Sequence, residues 1–241
     1  MRLTSLLLFS TLAVAASDSA PQLASADDVV AKMMERDHDR QATLAGYRAD
    51  RRYSLRNERY HKHAEMVVRM TCSKDGSKQF DMVSSAGSAG IRKHVFPHLL
   101  SAEAEASKPD LRERSRITPN NYSFRMAGTD RLNGRPTYVI AIVPKTPNKY
   151  LVEGKIWVDA NEYAIVRLEG QPAKNPSFWV KSVHFVHTYA KQGPFWFPFS
   201  DESVTDVRVF GPTNLKIEYY GYSPNATAAA VLGAPGQRST P

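Results

Sequence analysis

The chain has 241 residues, with 32 Lys and Arg against 24 Asp and Glu, a net charge of +8 and a single cysteine. That length suits one large domain or two small ones. The lone Cys72 excludes an intrachain disulfide, so stability has to come from a buried core. A basic balance favours anionic partners.

At the N-terminus, Arg2 precedes the apolar run LTSLLLFSTLAVA and the small-x-small site Ala13-Val14-Ala15, the pattern of a signal peptide over residues 1–15. A second such site, Ala24-Ser25-Ala26, lies far from the apolar run. The run is shorter than the roughly 20 residues of a transmembrane helix, and no cysteine follows it to take a lipid. The expectation is an exported, periplasmic protein, soluble once the leader is removed, for which nucleic acid is not a partner. Loss of Arg2 leaves 31 cations against 24 anions, a net of +7. Residues 16–26 read as a small polar linker.

Ser25 and Asp28 form an S-x-x-D capping box. Behind it Val29, Val30, Met33, Met34 and Leu44 recur near helical spacing, which predicts a helix over 27–45 ended by Gly46. From Tyr47 the period becomes two. Tyr47, Ala49, Tyr53 and Leu55 share one face, and Arg48, Asp50, Arg52, Ser54 and Arg56 the other. Parity puts Arg51 on the apolar face, where a charge needs a partner: it ties the sheet to a covering helix or meets a ligand headgroup. The basic run RADRRYSLRNERYHKH is a solvated outer face and charged edge, or a patch for anionic headgroups.

AEMVVRMTCS and KQFDMVSS are the next strands, joined at Asp75-Gly76. SAGSAG (85–90) reads as a flexible break. Ile91, Val95, Leu99 and Ala102 then step helically with Phe96 and Leu100 beside them, a second helix interrupted near Pro97. Residues 103–116 alternate in charge and read as a mobile surface segment. From Tyr122 the chain is almost all strand, turning at Asn133-Gly134, within VEGKIWVDANEYAIVRLEG, at Gln192-Gly193-Pro194 and at Gly211-Pro212. The result is a meander of about ten strands, too many to stay flat. The unit is a single domain over 27–222, with a disordered tail over 223–241.

Little catalytic chemistry is visible. His94 and His98 have two-ligand spacing but Pro97 between them, and His184 and His187 point to opposite faces of one strand. There is no G-x-S-x-G and no P-loop, and Asp201-Glu202 reads as a solvated pair. No catalytic residue, metal or cofactor is expected, although a hydrolase site assembled only in space stays open. Instead, aromatic residues crowd the last ninety positions, and a long apolar sheet with two or three helices to cover it is left with a cavity or a partner. In the hairpin, Ile156 and Val158 share one face, as do Ala164, Val166 and Leu168, against Ile165, Arg167 and Glu169 on the other. The candidate residues for that cavity or surface are Tyr47, Arg51, Tyr53, Ile156, Val158, Val166, Leu168, Val183, Phe185, Tyr189, Leu215 and Ile217, with Ile91, Val95, Phe96, Leu99 and Leu100 of the second helix as its cover.

This order of elements resembles the LolA-like lipoprotein carriers and the RseB-like sensors. More closely, TPNNYSF, PKTPNKYLVEGKIWVDANEYAIVRLEGQPAKNPSFWVK and SVTDVRVFG with LKIEYYGY are similar to an exported bacterial branch labelled outer-membrane lipoprotein-sorting protein. The likeness covers most of residues 27–222. It implies a mainly β fold, an unclosed antiparallel half-barrel capped by helices, around an apolar groove for lipid or lipoprotein acyl chains. A carrier for envelope lipids or lipoproteins is the first expectation. An envelope sensor that docks another protein is the second.

Overall fold

The computed structural model describes residues 24–226 except 176, 177, 179 and 210. The expected leader, most of the linker and the tail beyond 226 lie outside the described residues. Helix α1 (Ala26–Thr43) is followed by strands β1 (Leu44–Asn57), β2 (Lys62–Ser73) and β3 (Lys78–Gly87). A π-turn (Ile91–Val95), α2 (Phe96–Ala106) and α3 (Pro109–Ser115) come next. The remaining strands are β4 (Tyr122–Leu132), β5 (Arg135–Pro144), β6 (Val152–Asp159), β7 (Ile165–Pro172), β8 (Val180–Gln192), β9 (Phe195–Val207) and β10 (Gly211–Ala226).

All ten strands form one antiparallel sheet in the order β3-β2-β1-β10-β9-β8-β7-β6-β5-β4. It curls without closing, the half-barrel expected from the sequence. Two meanders are joined where β10 returns to β1, with Arg51 opposite Tyr219 and Tyr53 opposite Ile217. Residues 223–226, expected in the tail, complete β10 instead.

Local chemistry explains the starts and stops. Ser25 caps α1 by accepting the Asp28 N–H at 3.1 Å. The helix ends at Thr43, three residues before the expected stop. Gly46 already belongs to β1, at φ +123°, where a Cβ would meet the Cys72 carbonyl at 2.6 Å. It is a glycine because β1 and β2 approach closely there, not because a helix ends.

The segment after β3 departs most from expectation. Residues 103–116 are the end of α2 and the whole of α3, so three helices are present among the described residues. Pro97 sits in the first turn of α2, where its missing N–H costs nothing.

Two apolar cores fill the concave side. One gathers Val29, Val30 and Met33 of α1 with Ile140, Ile142, Ile156, Val158, Leu168 and Phe185. The other gathers Ile91 and Phe96 with Tyr53, Leu55, Met66, Val68, Ile217 and Tyr219. Between β6 and β7, the buried Asp159 carboxylate accepts the N–H groups of Asn161 and Glu162 and the Arg135 guanidinium. Burial pushes its pKa up, but these donors prevail and hold it below the ordinary value. Glu162 accepts from Lys191 and Trp196, and its carbonyl from Arg40 of α1. The charged turn of the hairpin therefore fastens α1 and the β8–β9 hairpin to the sheet.

Candidate functional site beside helix α2

The two cores do not meet. At their seam, beside α2, lies a cavity of about 490 Å³. Its apolar wall is Leu168, Val183, Phe185, Leu215 and Ile217, and its polar wall is Arg51, Lys78, Glu103, His187, Asp201, Glu202, Ser203 and Tyr219. Register builds both walls: Leu168 lies opposite His187, His187 opposite Asp201, and Ile217 opposite Asp201. Tyr189 and Pro198 close one end.

Arg51 anchors the polar wall with a side chain 1% exposed. It donates to Glu103 Oε1 of α2 at 2.8 Å and to the Tyr219 hydroxyl at 2.9 Å. The rings of Tyr219, Tyr53 and Phe80 surround its guanidinium at 4.5, 5.0 and 5.4 Å. Lys78 Nζ reaches the same Glu103 oxygen at 2.8 Å. Burial alone would raise the Glu103 pKa, yet the Lys78 and Arg51 charges override it and hold the carboxyl at about 2. Tyr219 in turn donates to Asp201, and Asp201 pairs with His187 Nδ1 at 2.6 Å. Burial, reinforced by Asp201, drives the Tyr219 pKa upward, so its proton stays in place. A continuous run of polar contacts thus links α2 to the cavity floor.

Of the expected cavity residues, Arg51, Leu168, Val183, Phe185, Tyr189, Leu215 and Ile217 border this cavity. Tyr53 is buried in the α2-side core, its hydroxyl 3.4 Å from Glu103. Ile156 and Val158 are fully buried in the core that includes α1 rather than open to the cavity. The Tyr47 ring lies tilted against Phe197 at 4.7 Å and borders a separate space of about 310 Å³ with Cys72.

Two placements need correction. Val166 lies on the outer face beside Arg167 and Thr188. The register slips between Trp157–Arg167 and Val158–Ile165, so a β-bulge turns Ile165 inward to the core and Val166 outward. Val95 is 37% exposed while Phe96 is fully buried. The turn at Ile91–Val95 closes from the Phe96 N–H to the Ile91 carbonyl, five residues apart. The position that follows Ile91 on the inner face thus belongs to Phe96. Ile91 is buried beneath it, and Leu99 and Leu100 pack partly against the same core.

Glu103, Lys78, His187, Asp201 and Tyr219 also line the cavity and were not among the residues expected there. Glu103 follows Phe96, Leu99 and Leu100 at helical spacing, a signal masked by the acidic and basic residues around it. Asp201 and Glu202 differ in surroundings: Asp201 is half-buried and meets His187 at 2.6 Å, whereas Glu202 is exposed and lies 3.7 Å from Lys216. His184 and His187 do face opposite ways, to Glu169 and Asp201. Among the described residues no group of three or more His, Cys, Asp and Glu could hold a metal ion. No described helix is long and apolar enough to cross a membrane.

The sequence profile of a family of unknown function, DUF5686, matches residues 33–224. The chain belongs to that family. No curated protein matches it. Among solved structures, this DUF5686 member is similar to a domain classed as an outer membrane lipoprotein-sorting protein from Vibrio parahaemolyticus, at 12% identity over 83% of this chain and 93% of that one, TM-score 0.44. It is also similar to a DUF1329 family protein from Desulfovibrio piger, at 9% over 83% and 93%, TM-score 0.42. A third is a LolA superfamily protein from Nitrosomonas europaea, at 6% over 86% and 97%, TM-score 0.40.

Proposed function

We propose that this DUF5686 protein is a periplasmic, non-catalytic binding protein that holds an acyl chain of a lipid or lipoprotein in the half-barrel, beside α2. The observation that supports it most is the cavity itself, with an apolar wall of five side chains beside a helix held by an ion pair. Burying each methylene of a chain against this wall gains up to about 0.8 kcal/mol, so a chain of roughly ten or more would gain on the order of 8 kcal/mol before ordering costs.

Displacement of a fluorescent fatty acid tests the reading. Leu168→Asp should abolish binding, and Val166→Asp, on the outer face, should leave it near wild type. Equal loss in both folded variants would place the chain elsewhere or nowhere. Native mass spectrometry of protein purified from its own envelope identifies the cargo. A copurifying polypeptide in place of a lipid would favour a sensor that docks another protein.

A further inference from the structure

The charges at the α2 end of the cavity are unevenly shared. Arg51 and Lys78 bring two positive charges, and both donate to one oxygen of Glu103. The other oxygen, Oε2, receives the Tyr53 hydroxyl at 3.4 Å, a weak contact. Among the described residues, the buried Arg51 Nε has no hydrogen-bond partner. An ammonium has three N–H donors, and Glu103 takes one from Lys78. Of the other carboxylates that line the cavity, Asp201 is engaged by Tyr219 and His187, and Glu202 lies 3.7 Å from Lys216. Among the described residues the cation pair is therefore held by a single carboxylate, and that carboxylate belongs to α2.

We propose that Arg51 and Lys78 form the headgroup site for a single-chain amphiphile with an oxyanion head, a carboxylate or a phosphate, and that Glu103 is a built-in stand-in which the head displaces on loading. This rests on the reading of the cavity as an acyl-chain site. Exchange of one oxyanion for another keeps the desolvated guanidinium paired throughout, so entry never passes through a bare buried charge. A neutral head would have either to leave Glu103 in place or to strand both cations. The guanidinium fork suits carboxylate and phosphate alike. With the head there, the apolar wall of Leu168, Phe185, Leu215 and Ile217 starts beside it and receives the chain. Glu103 is fully ionised at neutral pH, so the exchange is anion for anion.

The test compares three probes of equal chain length, each below its micelle concentration: palmitic acid, 1-palmitoyl lysophosphatidic acid and hexadecanol. Calorimetric titration of the full exported chain gives the affinities. Wild type should bind one or both anions more tightly than the alcohol, and the stronger of the two identifies the head. Lys78→Gln should cut the anion-to-alcohol affinity ratio roughly tenfold, the effect of losing a charged hydrogen bond. Glu103→Gln should raise the affinity for the anions, because their competitor has lost its charge. Alcohol bound by wild type as tightly as both anions, or a preference untouched by Lys78→Gln, would overturn the headgroup site and leave the acyl-chain reading standing. Failure of wild type to bind any of the three would overturn both. The wild-type comparison needs no variant to fold.

Discussion

Arg51 and Arg52 are neighbours with opposite fates. Arg52 is exposed on the outer face, whereas Arg51 is enclosed by three rings and joined to Glu103 and Tyr219. Arg51→Met keeps the stem among the rings and removes the charged hydrogen bonds, so stability to urea should fall by about 1.5–3 kcal/mol. Arg52→Met should stay within about 0.5 kcal/mol of wild type, and coincident midpoints for the two would reject this role for Arg51. Glu103 adds a pH dependence whose sign is fixed. Its carboxyl sits near 2 in the folded state against an ordinary 4.5. A depressed acid stabilises the state that depresses it above the ordinary value, and that contribution fades as pH falls from about 4.5 through about 2. Acid should therefore release α2 in that window, before or with global unfolding. Binding of anilinonaphthalene sulfonate followed down the titration reports the exposure, and an identical curve for Glu103→Gln would show that another carboxylate is responsible.

At the scale of elements, small irregularities decide which side chains face the cavity. The π-turn ahead of α2 places Phe96 where α-helical spacing puts Val95. Phe96→Ala should loosen α2, since emptying a buried phenylalanine site costs about 3–5 kcal/mol. Hydrogen exchange across residues 91–106 should speed up, while Val95→Ser leaves it near wild type. The reverse ranking would mean that the turn is α-helical in solution. The bulge in β7 acts in the same way on Val166. Neither can be read from periodicity, because an inserted residue in a strand or a widened turn in a helix leaves the composition of the segment unchanged.

At the scale of the whole molecule, the cavity exists because ten strands curl around two cores that stay apart. Part of that curl depends on a cross-strand glycine pair, Gly154 opposite Gly170. A Cβ on Gly154 would meet the Glu169 carbonyl at 2.0 Å, and one on Gly170 the Glu153 carbonyl at 2.4 Å. Such close backbone approach marks a tight bend. Gly154→Val should force β6 and β7 apart, lowering the thermal midpoint and weakening fatty-acid binding together. A variant with wild-type melting and binding would show that the bend lies elsewhere.

Sequence alone determined the strands, their hairpin order and the inward face of β1, because alternation and turn chemistry are local properties. It fixed the helix start at Ser25, and it placed Arg51 on the apolar face, because parity counts from neighbouring residues. It also separated His184 from His187. The partners were decided only by tertiary structure. Glu103 is 52 residues from Arg51, and Tyr219 is 168 away. Pairing of β10 with β1, and packing of α2 against β3 at the end of the same sheet, bring them together. A carboxylate in a run of alternating charges carries the same sequence signal whether it meets water or a buried guanidinium. The difference is burial, which depends on which surfaces the whole chain brings into contact.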